Sequence, residues 1–276
     1  MEFRKCSIGD RLFDKTTVTN CQEPYKTHFL RVLSLCHSVL VDRNEAGDLV
    51  RMASSPDEGA LVQAAVEMGY EYNGKEDGIV NLVVDGELQR FELLANLEFT
   101  SERKRSSVLF RELATNRVFL YCKGSDEFIL SKLADDTFLE YTNFTIHEFA
   151  SEGLRTLCCA YRELDNDFVA SWLERWNNAQ CALENKEQRI NLAANEIEQS
   201  LHLLGSTAIE DRLQEGVPDT IAYMVAAGIK VWTITGDKLE TALSIGVSCN
   251  LIHKSAKIVR VNGTTLDDVL SQLDET

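Results

Sequence analysis

The chain has 276 residues, 44% of them hydrophobic, which is enough for one large domain or two smaller ones with a substantial core. Its 28 lysines and arginines against 44 aspartates and glutamates give a net charge of −16, which argues against binding to nucleic acid or to anionic lipid surfaces. The eight cysteines include no Cys-x-x-Cys pair, and no apolar run reaches the roughly 18 residues that a membrane span needs. We therefore expect reduced thiols in a cytosolic compartment, with no zinc site, disulfide framework or membrane span.

Two helices are predicted in the first quarter of the chain. Residues 24–40 carry apolar side chains at helical spacing, which predicts a helix with one buried face. The segment Ser55–Glu58 reads Ser-Pro-Asp-Glu, which has the form of a capping box with proline at the first helical position. The helix that follows it is predicted to end at Gly69.

The middle of the chain is rich in short segments of strand type. They are separated by turn sequences, as in an antiparallel meander, and lie at residues 79–84, 88–94, 107–111 and 118–122. A further strand is predicted at 156–161, and the polar segment 165–199, with widely spaced large apolar residues, predicts helices that cover a sheet. This part of the chain is therefore predicted to be α+β, with an antiparallel sheet flanked by helices.

After residue 200 the pattern changes to an alternation of strands and helices. Strands are predicted at 203–205, 229–234 and 257–261, and helices at about 218–227 and from about 239 onward. Such alternation is typical of parallel α/β units. We therefore place a domain boundary near residue 200, which gives domains at 1–200 and 201–276.

One loop in the second domain has a composition suited to binding. Thr235-Gly236-Asp237 follows the predicted strand 229–234 and opens a helix, so it offers a hydroxyl, backbone amides and a carboxylate at one sheet edge. A phosphate or a magnesium ion fits that arrangement. The same three residues are also ordinary turn and helix-cap chemistry, so the loop needs support from other segments.

Five other segments provide that support, and together with the loop they form a set of six. The six are Ser54–Val62 (SSPDEGALV), Phe99–Val108 (FTSERKRSSV), Lys123–Asp126 (KGSD), Glu152–Leu157 (EGLRTL), Ile209–Gln214 (IEDRLQ) and Thr235–Lys238 (TGDK). In this order they resemble the motifs of a P-type ATPase, and the match is closest to the phospholipid-flippase branch of that family. The opening segment Met1–Ile8 is similar to the sequence that follows the phosphorylated aspartate of the family, so the resemblance covers nearly the whole chain.

The resemblance implies a fold and a cofactor. Residues 1–200 would form the nucleotide-binding domain, and residues 201–276 an incomplete Rossmann-like α/β segment, of the haloacid-dehalogenase type, from the phosphorylation domain. The family binds ATP with Mg²⁺, and an intact flippase transfers the γ-phosphate to a catalytic aspartate to drive aminophospholipid translocation to the cytoplasmic leaflet. That aspartate and the family's magnesium motif have no counterpart here, so we assign no catalytic residue and no metal ligand, and we expect the chain to bind ATP without hydrolysing it.

The resemblance also implies partners and a location. The partners would be ATP and the remaining phosphorylation, actuator and transmembrane domains, with an accessory subunit as a further candidate. Phospholipid would be reached only through the membrane part, and nucleic acid is not expected to bind. The location would be the cytosolic face of a membrane.

The resemblance implies nucleotide contacts for nine residues. Phe99 would stack on adenine, Lys123 would reach the purine or the phosphates, and Arg155 would hold phosphate oxygens. A simpler alternative stays open for each: a core phenylalanine, a solvated lysine and a structural salt bridge. The other predicted contacts are Glu58, at the amino edge of adenine, Ser101, Asp211, Thr235, Gly236 and Asp237.

Two other features carry their own expectations. Arg103-Lys104-Arg105 is a basic cluster, and such a charge run predicts a solvated face. The segment Asp14–Thr19 imitates the phosphorylation motif but lacks its glycine and lies on the wrong side of the opening segment. Asp14 is therefore predicted to be a loop residue and not a nucleophile.

Two alternative functions remain open at this point. A cation-transporting P-type ATPase shares the Lys-Gly and Thr-Gly-Asp elements, although the Ser-Pro-Asp-Glu and Arg-Lys-Arg-Ser-Ser-Val segments favour the phospholipid branch. A non-catalytic nucleotide sensor or interaction domain would leave Phe99 in the core and Lys123 on the surface.

Overall fold

The computed structural model describes residues 1–43, 49–236, 239–253, 255–263 and 265–274. The chain divides into two compact units, Met1–Arg212 and Leu213–Thr276. The strands of the described residues are β1 (Glu2–Ile8), β2 (Arg11–Asp14), β3 (Leu40–Arg43), β4 (Leu49–Met52), β5 (Tyr70–Glu76), β6 (Ile79–Val84), β7 (Glu87–Leu97), β8 (Arg105–Glu112), β9 (Arg117–Gly124), β10 (Arg155–Leu164) and β11 (His202–Glu210). The helices are α1 (Lys15–Asn20), α2 (Lys26–Leu35), α3 (Pro56–Glu67), α4 (Asp126–Leu130), α5 (Leu139–Ser151), α6 (Asn166–Gln180), α7 (Lys186–Ile197), α8 (Val217–Ala226), α9 (Leu239–Ser248) and α10 (Leu266–Asp274).

The first unit is built on one antiparallel sheet of nine strands. Their order is β2-β1-β11-β10-β9-β8-β7-β6-β5, and β3 and β4 form a separate hairpin. The run from β6 to β9 pairs strand by strand in chain order, which confirms the predicted meander. Helices flank the sheet, so the predicted α+β class of this part is also confirmed.

The sheet is buried on both faces, and a hydrophobic core lies on each. Along β9, Phe119 and Tyr121 belong to one core, whereas Val118, Leu120 and Cys122 belong to the other. Successive strand residues point to opposite faces, so a strand covered on both sides reads as a continuous apolar run. The two cores hold β9 rigidly up to its last residues, next to the cleft described below.

The predicted helix at residues 24–40 is shorter in the structure. Helix α2 ends at Leu35, and β3 begins at Leu40. The His37 ring closes the turn between them, because its Nε2 donates to the Ser34 carbonyl at 2.8 Å and its Nδ1 accepts from the Val39 N–H at 3.1 Å. The apolar spacing continued past this turn, so the pattern alone overestimated the length of the helix.

The parallel α/β arrangement predicted after residue 200 is wrong for its first strand. β11 pairs antiparallel with β1 and β10 and lies inside the sheet of the first unit, so the unit boundary falls after this strand and not near residue 200. The partner β1 comes from the opposite end of the chain. No local sequence pattern reports a pairing over that separation.

The second unit holds α8 and α9, close to the two helices predicted there, and α10, which was not predicted. Its described residues form no strand, so the strands predicted at 229–234 and 257–261 are not formed in this structure. A strand needs a hydrogen-bonded neighbour, and the described part of this unit offers none. Trp232 and Ile234 are accordingly 84% and 99% exposed. The Rossmann-like fold of this segment therefore stays a prediction.

Two other sequence expectations can be compared with the structure. No disulfide joins the eight cysteines, all of which lie among the described residues. None of the described helices has the length and apolar character of a membrane span.

Candidate functional site

A cleft of about 630 Å³ opens in the first unit beside α3 and the ends of β7, β9 and α2. Cys36, Leu61, Val108 and Leu157 supply apolar lining, and polar groups stand among them. Small-molecule sites typically have volumes of 300–1,000 Å³ and combine an apolar wall with a few convergent polar groups. The cleft therefore has the size and lining of a ligand site.

Four of the predicted contact residues line this cleft: Glu58, Phe99, Lys123 and Arg155. They come from α3, the segment after β7, the end of β9 and the start of β10, so only the fold brings them together. This convergence is the main structural observation about the site.

The other predicted contacts do not join them in the described structure. Ser101 and Asp211 are exposed and are not among the residues that line the cleft. Thr235 and Gly236 belong to the second unit. Asp237 lies outside the described residues. The binding roles of all five stay predictions.

Lys123 is held inside the cleft by Glu58. The lysine is only 4% exposed, and its Nζ donates to Glu58 Oε1 at 2.9 Å. Glu58 Oε2 accepts from the Ser38 N–H at 2.9 Å and from the Ser38 hydroxyl at 2.7 Å. Burial opposes ionisation of Glu58, but Lys123 and the two Ser38 donors outweigh it, so the pKa of Glu58 lies below its ordinary value. The cleft thus contains an oriented, ionised carboxylate beside a buried ammonium.

This use of Glu58 corrects the predicted capping box. Helix α3 begins at Pro56, as its sequence predicts, but the N-cap Ser55 makes no side-chain capping bond. The carboxylate that would complete the box is engaged by Ser38 and Lys123 instead. The Glu58 carboxylate therefore faces the cleft and does not cap its own helix. Ser38, which the sequence did not indicate, orients this carboxylate.

Phe99 and Lys123 differ from their simpler alternatives. Phe99 is 60% exposed, which is inconsistent with a core phenylalanine. Lys123 is buried, which is inconsistent with a solvated surface lysine. Arg155 does form a salt bridge, with Nη1 3.2 Å from Asp57 Oδ2, and about a third of its side chain stays exposed at the cleft. Its structural role is thus observed, and contact with a ligand stays a prediction.

The predicted solvated face at Arg103-Lys104-Arg105 is wrong for its two arginines. Arg103 and Arg105 are buried, and only Lys104 is exposed. Both guanidinium groups pair with the buried carboxylate of Glu198 at the end of α7. Charge patterning missed this because Glu198 lies more than ninety residues further along the chain, in a polar segment with no motif.

His37 is a further cleft residue that the sequence analysis missed. Its ring packs edge-on against Tyr72 with centroids 4.5 Å apart, and its two ring nitrogens are both engaged in the turn after α2. Burial, reinforced by the nearby Lys123 ammonium, lowers the pKa of His37 from 6.5 to about 4. Position 37 lies within the helix predicted at residues 24–40, so its sequence context suggested only a helical residue.

The pKa of His37 predicts a pH-dependent stability. The unfolded chain takes up a proton near pH 6.5 whereas the folded chain resists it until about pH 4, so the contribution is complete above pH 6.5 and declines as the pH falls toward 4. Between pH 7 and pH 5 we expect His37 alone to cost roughly 2 kcal/mol of unfolding free energy. Urea unfolding at both pH values measures it. His37→Gln should flatten the dependence, and exposed His147→Gln should not; equal slopes in both variants contradict the assignment.

Asp14 caps a helix. It ends the edge strand β2, and its Oδ1 accepts from the N–H groups of Thr16 at 3.0 Å and Thr17 at 2.8 Å, while Thr17 Oγ1 accepts from the Asp14 N–H. These donors, led by those of Thr17, lower the pKa of Asp14 to about 2. The residue is therefore an N-cap, and not the loop aspartate that the sequence predicted.

We accordingly expect Asp14→Ala to lower the thermal unfolding temperature, because two N–H groups of α1 lose their acceptor. The stabilisation that this carboxylate provides should be present above its unfolded pKa of about 4 and lost as the pH falls toward 2. Affinity for a ligand of the cleft should not change. If the purified wild-type chain hydrolysed ATP and Asp14→Asn abolished that activity, Asp14 would instead be a nucleophile.

Comparison with known proteins identifies the family. The family model described as "P-type ATPase, cytoplasmic domain N" matches residues 26–216. The chain belongs to the P-type ATPases. The matched range includes all four of the cleft residues predicted from the family motifs. It contains α2 through β11 and therefore most of the first unit.

The curated relatives of this P-type ATPase domain given below are all named phospholipid-transporting ATPases. The chain is 43% identical over 265 residues to "Phospholipid-transporting ATPase DNF1" of Chaetomium thermophilum, covering 92% of this chain and 17% of the relative. It is 42% identical to "Phospholipid-transporting ATPase FetA" of Mus musculus, over 95% of this chain and 22% of the relative. "Phospholipid-transporting ATPase DRS2" of Saccharomyces cerevisiae is 40% identical over the whole chain and 23% of its own length. The resemblance to the phospholipid branch is thus confirmed, and the chain spans about a fifth of the length of these relatives.

Among the described residues, no group of three or more histidine, cysteine, aspartate or glutamate side chains is placed to hold a metal ion. Three acidic residues line the cleft, Asp57, Glu58 and Glu98. Glu58 is engaged by Lys123 and by two donors of Ser38, and Asp57 pairs with Arg155.

Proposed function

We propose that this chain is the ATP-binding part of a phospholipid-transporting P-type ATPase. One observation carries the proposal: Glu58, Phe99, Lys123 and Arg155, which lie far apart in the sequence, line a single cleft within the part that matches cytoplasmic domain N. An aromatic face can stack on a purine, a carboxylate can accept from its amino group, and two cations can bind phosphate oxygens.

Each of the four cleft residues contacts a different part of the nucleotide or orients a residue that does. Phe99 stacks on the adenine ring, and Glu58 accepts from the exocyclic amino group. Lys123 orients Glu58 and contributes positive charge to the phosphate tail, and Arg155 holds phosphate oxygens. The exposure of Phe99, the burial of Lys123 and the partial exposure of Arg155 support these roles.

The remaining predicted contacts complete the proposal in the intact protein. Ser101 and Asp211 contact the nucleotide from the exposed side. Thr235, Gly236 and Asp237 meet the transferring phosphoryl group and its Mg²⁺, where positioning and charge neutralisation drive the reaction. The second unit, Leu213–Thr276, adopts a Rossmann-like fold when it pairs with the rest of the phosphorylation domain.

In that protein, ATP supplies the γ-phosphate for an acyl phosphate on a catalytic aspartate, and its formation and hydrolysis drive aminophospholipid transport to the cytoplasmic leaflet. The names of the relatives support the lipid branch and do not favour a cation pump. The partners are the actuator, phosphorylation and transmembrane domains, with an accessory subunit as a candidate. The chain lies at the cytosolic face of the membrane.

Nuclear magnetic resonance titration of the chain with ATP and with GTP tests the proposal. ATP should shift the amide resonances of Glu58, Phe99 and Lys123 in a saturable manner. GTP, which has a carbonyl where adenine has an amino group, should bind more weakly because it cannot donate to Glu58. Shifts confined to residues outside the cleft, or equal affinity for both nucleotides, would contradict the assigned orientation.

A further inference from the structure

We propose that Glu198, a buried carboxylate outside the cleft, is the positioning residue that sets the geometry of the nucleotide site. It acts on the Phe99 loop, which we define as residues 98–104. This inference rests on the proposed ATP-binding function, because its effect is measured as ATP affinity. Neither the family match nor the resemblance assigns a role to this residue.

Glu198 collects donors from one strand and from the loop that leads into it. It is 0% exposed and follows the last residue of α7. Its Oε2 accepts from Arg105 Nε at 2.8 Å, and its Oε1 accepts from the Ser107 hydroxyl at 2.6 Å and from the guanidinium of Arg103. Asn195, one turn earlier on α7, accepts from Arg105 Nη2 at 2.6 Å. The end of α7 is thus fastened to the start of β8 by charge-assisted hydrogen bonds.

The same arginine that binds Glu198 also holds the Phe99 loop closed. Arg103 Nη1 donates to the Glu98 carbonyl at 2.7 Å, immediately before Phe99. On the other side of Phe99, Thr100 accepts from the Arg103 N–H at 3.1 Å through its hydroxyl and from the Lys104 N–H at 2.8 Å through its carbonyl. Phe99 therefore sits between two points that are both fixed by Arg103, and Arg103 is fixed by Glu198.

The hydrogen bonds around Glu198 also affect the side of the cleft that carries Lys123. Arg105 pairs with Gly124 and Ser106 with Lys123 in the β8–β9 ladder, and the Lys104 carbonyl accepts from the Ser125 N–H at 3.0 Å. A Cβ on Gly124 would lie 2.5 Å from the Arg105 Cβ, so only glycine permits this approach. One carboxylate thus sets the position of the strand start next to Lys123 and of the loop that carries Phe99.

The choice of a charged anchor is informative. A buried ionic cluster costs desolvation, and well-packed apolar residues often stabilise a fold equally well or better. An apolar replacement, however, could not hold the Glu98 carbonyl and the loop N–H groups through a shared guanidinium. The geometry therefore indicates that the ionic cluster fixes the conformation of the Phe99 loop. This role offsets the desolvation cost, because Phe99 is otherwise exposed and weakly packed.

Calorimetric ATP titration of a double-mutant cycle tests this inference. Glu198→Gln keeps the shape but removes the charge, and Glu196→Gln, an exposed carboxylate two residues away that pairs with Arg175, is the matched control. We expect Glu198→Gln to weaken ATP binding about tenfold, within the range that a lost stacking contact produces, and the control to leave it unchanged. In a Phe99→Ala background, Glu198→Gln should cause a smaller loss, because only its effect on the strand start next to Lys123 remains. Equal losses in both backgrounds, or no loss in either, would overturn the proposal.

A second variant tests the same inference if Glu198→Gln fails to fold. Arg103→Lys keeps the charge, but an ammonium cannot bridge the Glu198 carboxylate and the Glu98 carbonyl as a planar guanidinium does. It should weaken ATP binding in the wild-type background only, and it should speed amide hydrogen exchange at Arg103 and Lys104 while circular dichroism stays unchanged. Unchanged exchange together with unchanged affinity would overturn the proposal. If the wild-type chain itself fails to bind ATP, the proposed function fails, and this result is separate from that of the cycle.

Discussion

Lys123→Met is expected to cause the largest loss of ATP affinity of any single substitution in the cleft. The ammonium is buried and donates to Glu58 at 2.9 Å, so its removal takes a desolvated charge from the ligand and leaves a carboxylate without its main partner. Losing a buried, charge-assisted contact with a ligand costs about 2–5 kcal/mol, which corresponds to a loss of at least about thirtyfold in affinity, whereas the unpaired Glu58 lowers the stability of the fold. Isothermal titration calorimetry with ATP measures it.

The control for this substitution is Lys75→Met, which removes an exposed lysine that does not line the cleft. Both variants change the net charge equally, so any long-range electrostatic effect on ATP cancels in the comparison. Affinities of Lys123→Met and Lys75→Met within twofold of each other would contradict the role of Lys123. Thermal unfolding of Lys123→Met separates a loss of the site from a loss of the fold.

Phe99→Ala is expected to weaken ATP binding with little change in thermal stability. Stacking of a base on an aromatic side chain is worth about 1–3 kcal/mol, which corresponds to roughly 5- to 150-fold in affinity. The side chain is 60% exposed, so little core packing is lost when it is truncated. A phenylalanine that served the core would instead cost about 3–5 kcal/mol of stability.

Phe144→Ala provides a matched control, because Phe144 is also 60% exposed but lies on α5, outside the residues that line the cleft. It should leave ATP affinity unchanged. Equal affinities of the two alanine variants would show that Phe99 does not contact the base. A large fall in unfolding temperature for Phe99→Ala alone would favour the core alternative.

Local patterns predicted the parts of the fold that depend on neighbours in sequence. β6 has the predicted bounds of Ile79–Val84, and α3 begins at Pro56 as the proline and its flanking residues indicate. β9 is an apolar run in the sequence because both of its faces are buried. These features are fixed by spacing, turn residues and caps, which are all visible within about a dozen residues.

Features that depend on distant contacts escaped prediction. β11 joins β1 across almost the entire first unit, so it read as the start of a parallel domain. Arg103 and Arg105 read as a solvated charge run because their partner Glu198 is remote in the sequence. The strands predicted in the second unit did not form, because the described residues there contain no neighbouring strand to pair with.

The candidate site divides in the same way. Family motifs brought attention to Glu58, Phe99, Lys123 and Arg155, and the structure places these four in one cleft. Ser38 and His37, which shape the same cleft, belong to no motif and act through a turn that closes only after α2 has ended. Motifs therefore pointed to the groups that meet the ligand, and the structure was needed to find those that hold them in place.

Calorimetric titration of ATP into the wild-type chain, with and without Mg²⁺, tests whether the cleft binds a nucleotide. We expect saturable binding of one ATP per chain, because the residues that line the cleft all lie in the first unit. A folded chain that releases no heat of binding up to millimolar ATP would contradict the assignment of the cleft as a nucleotide site.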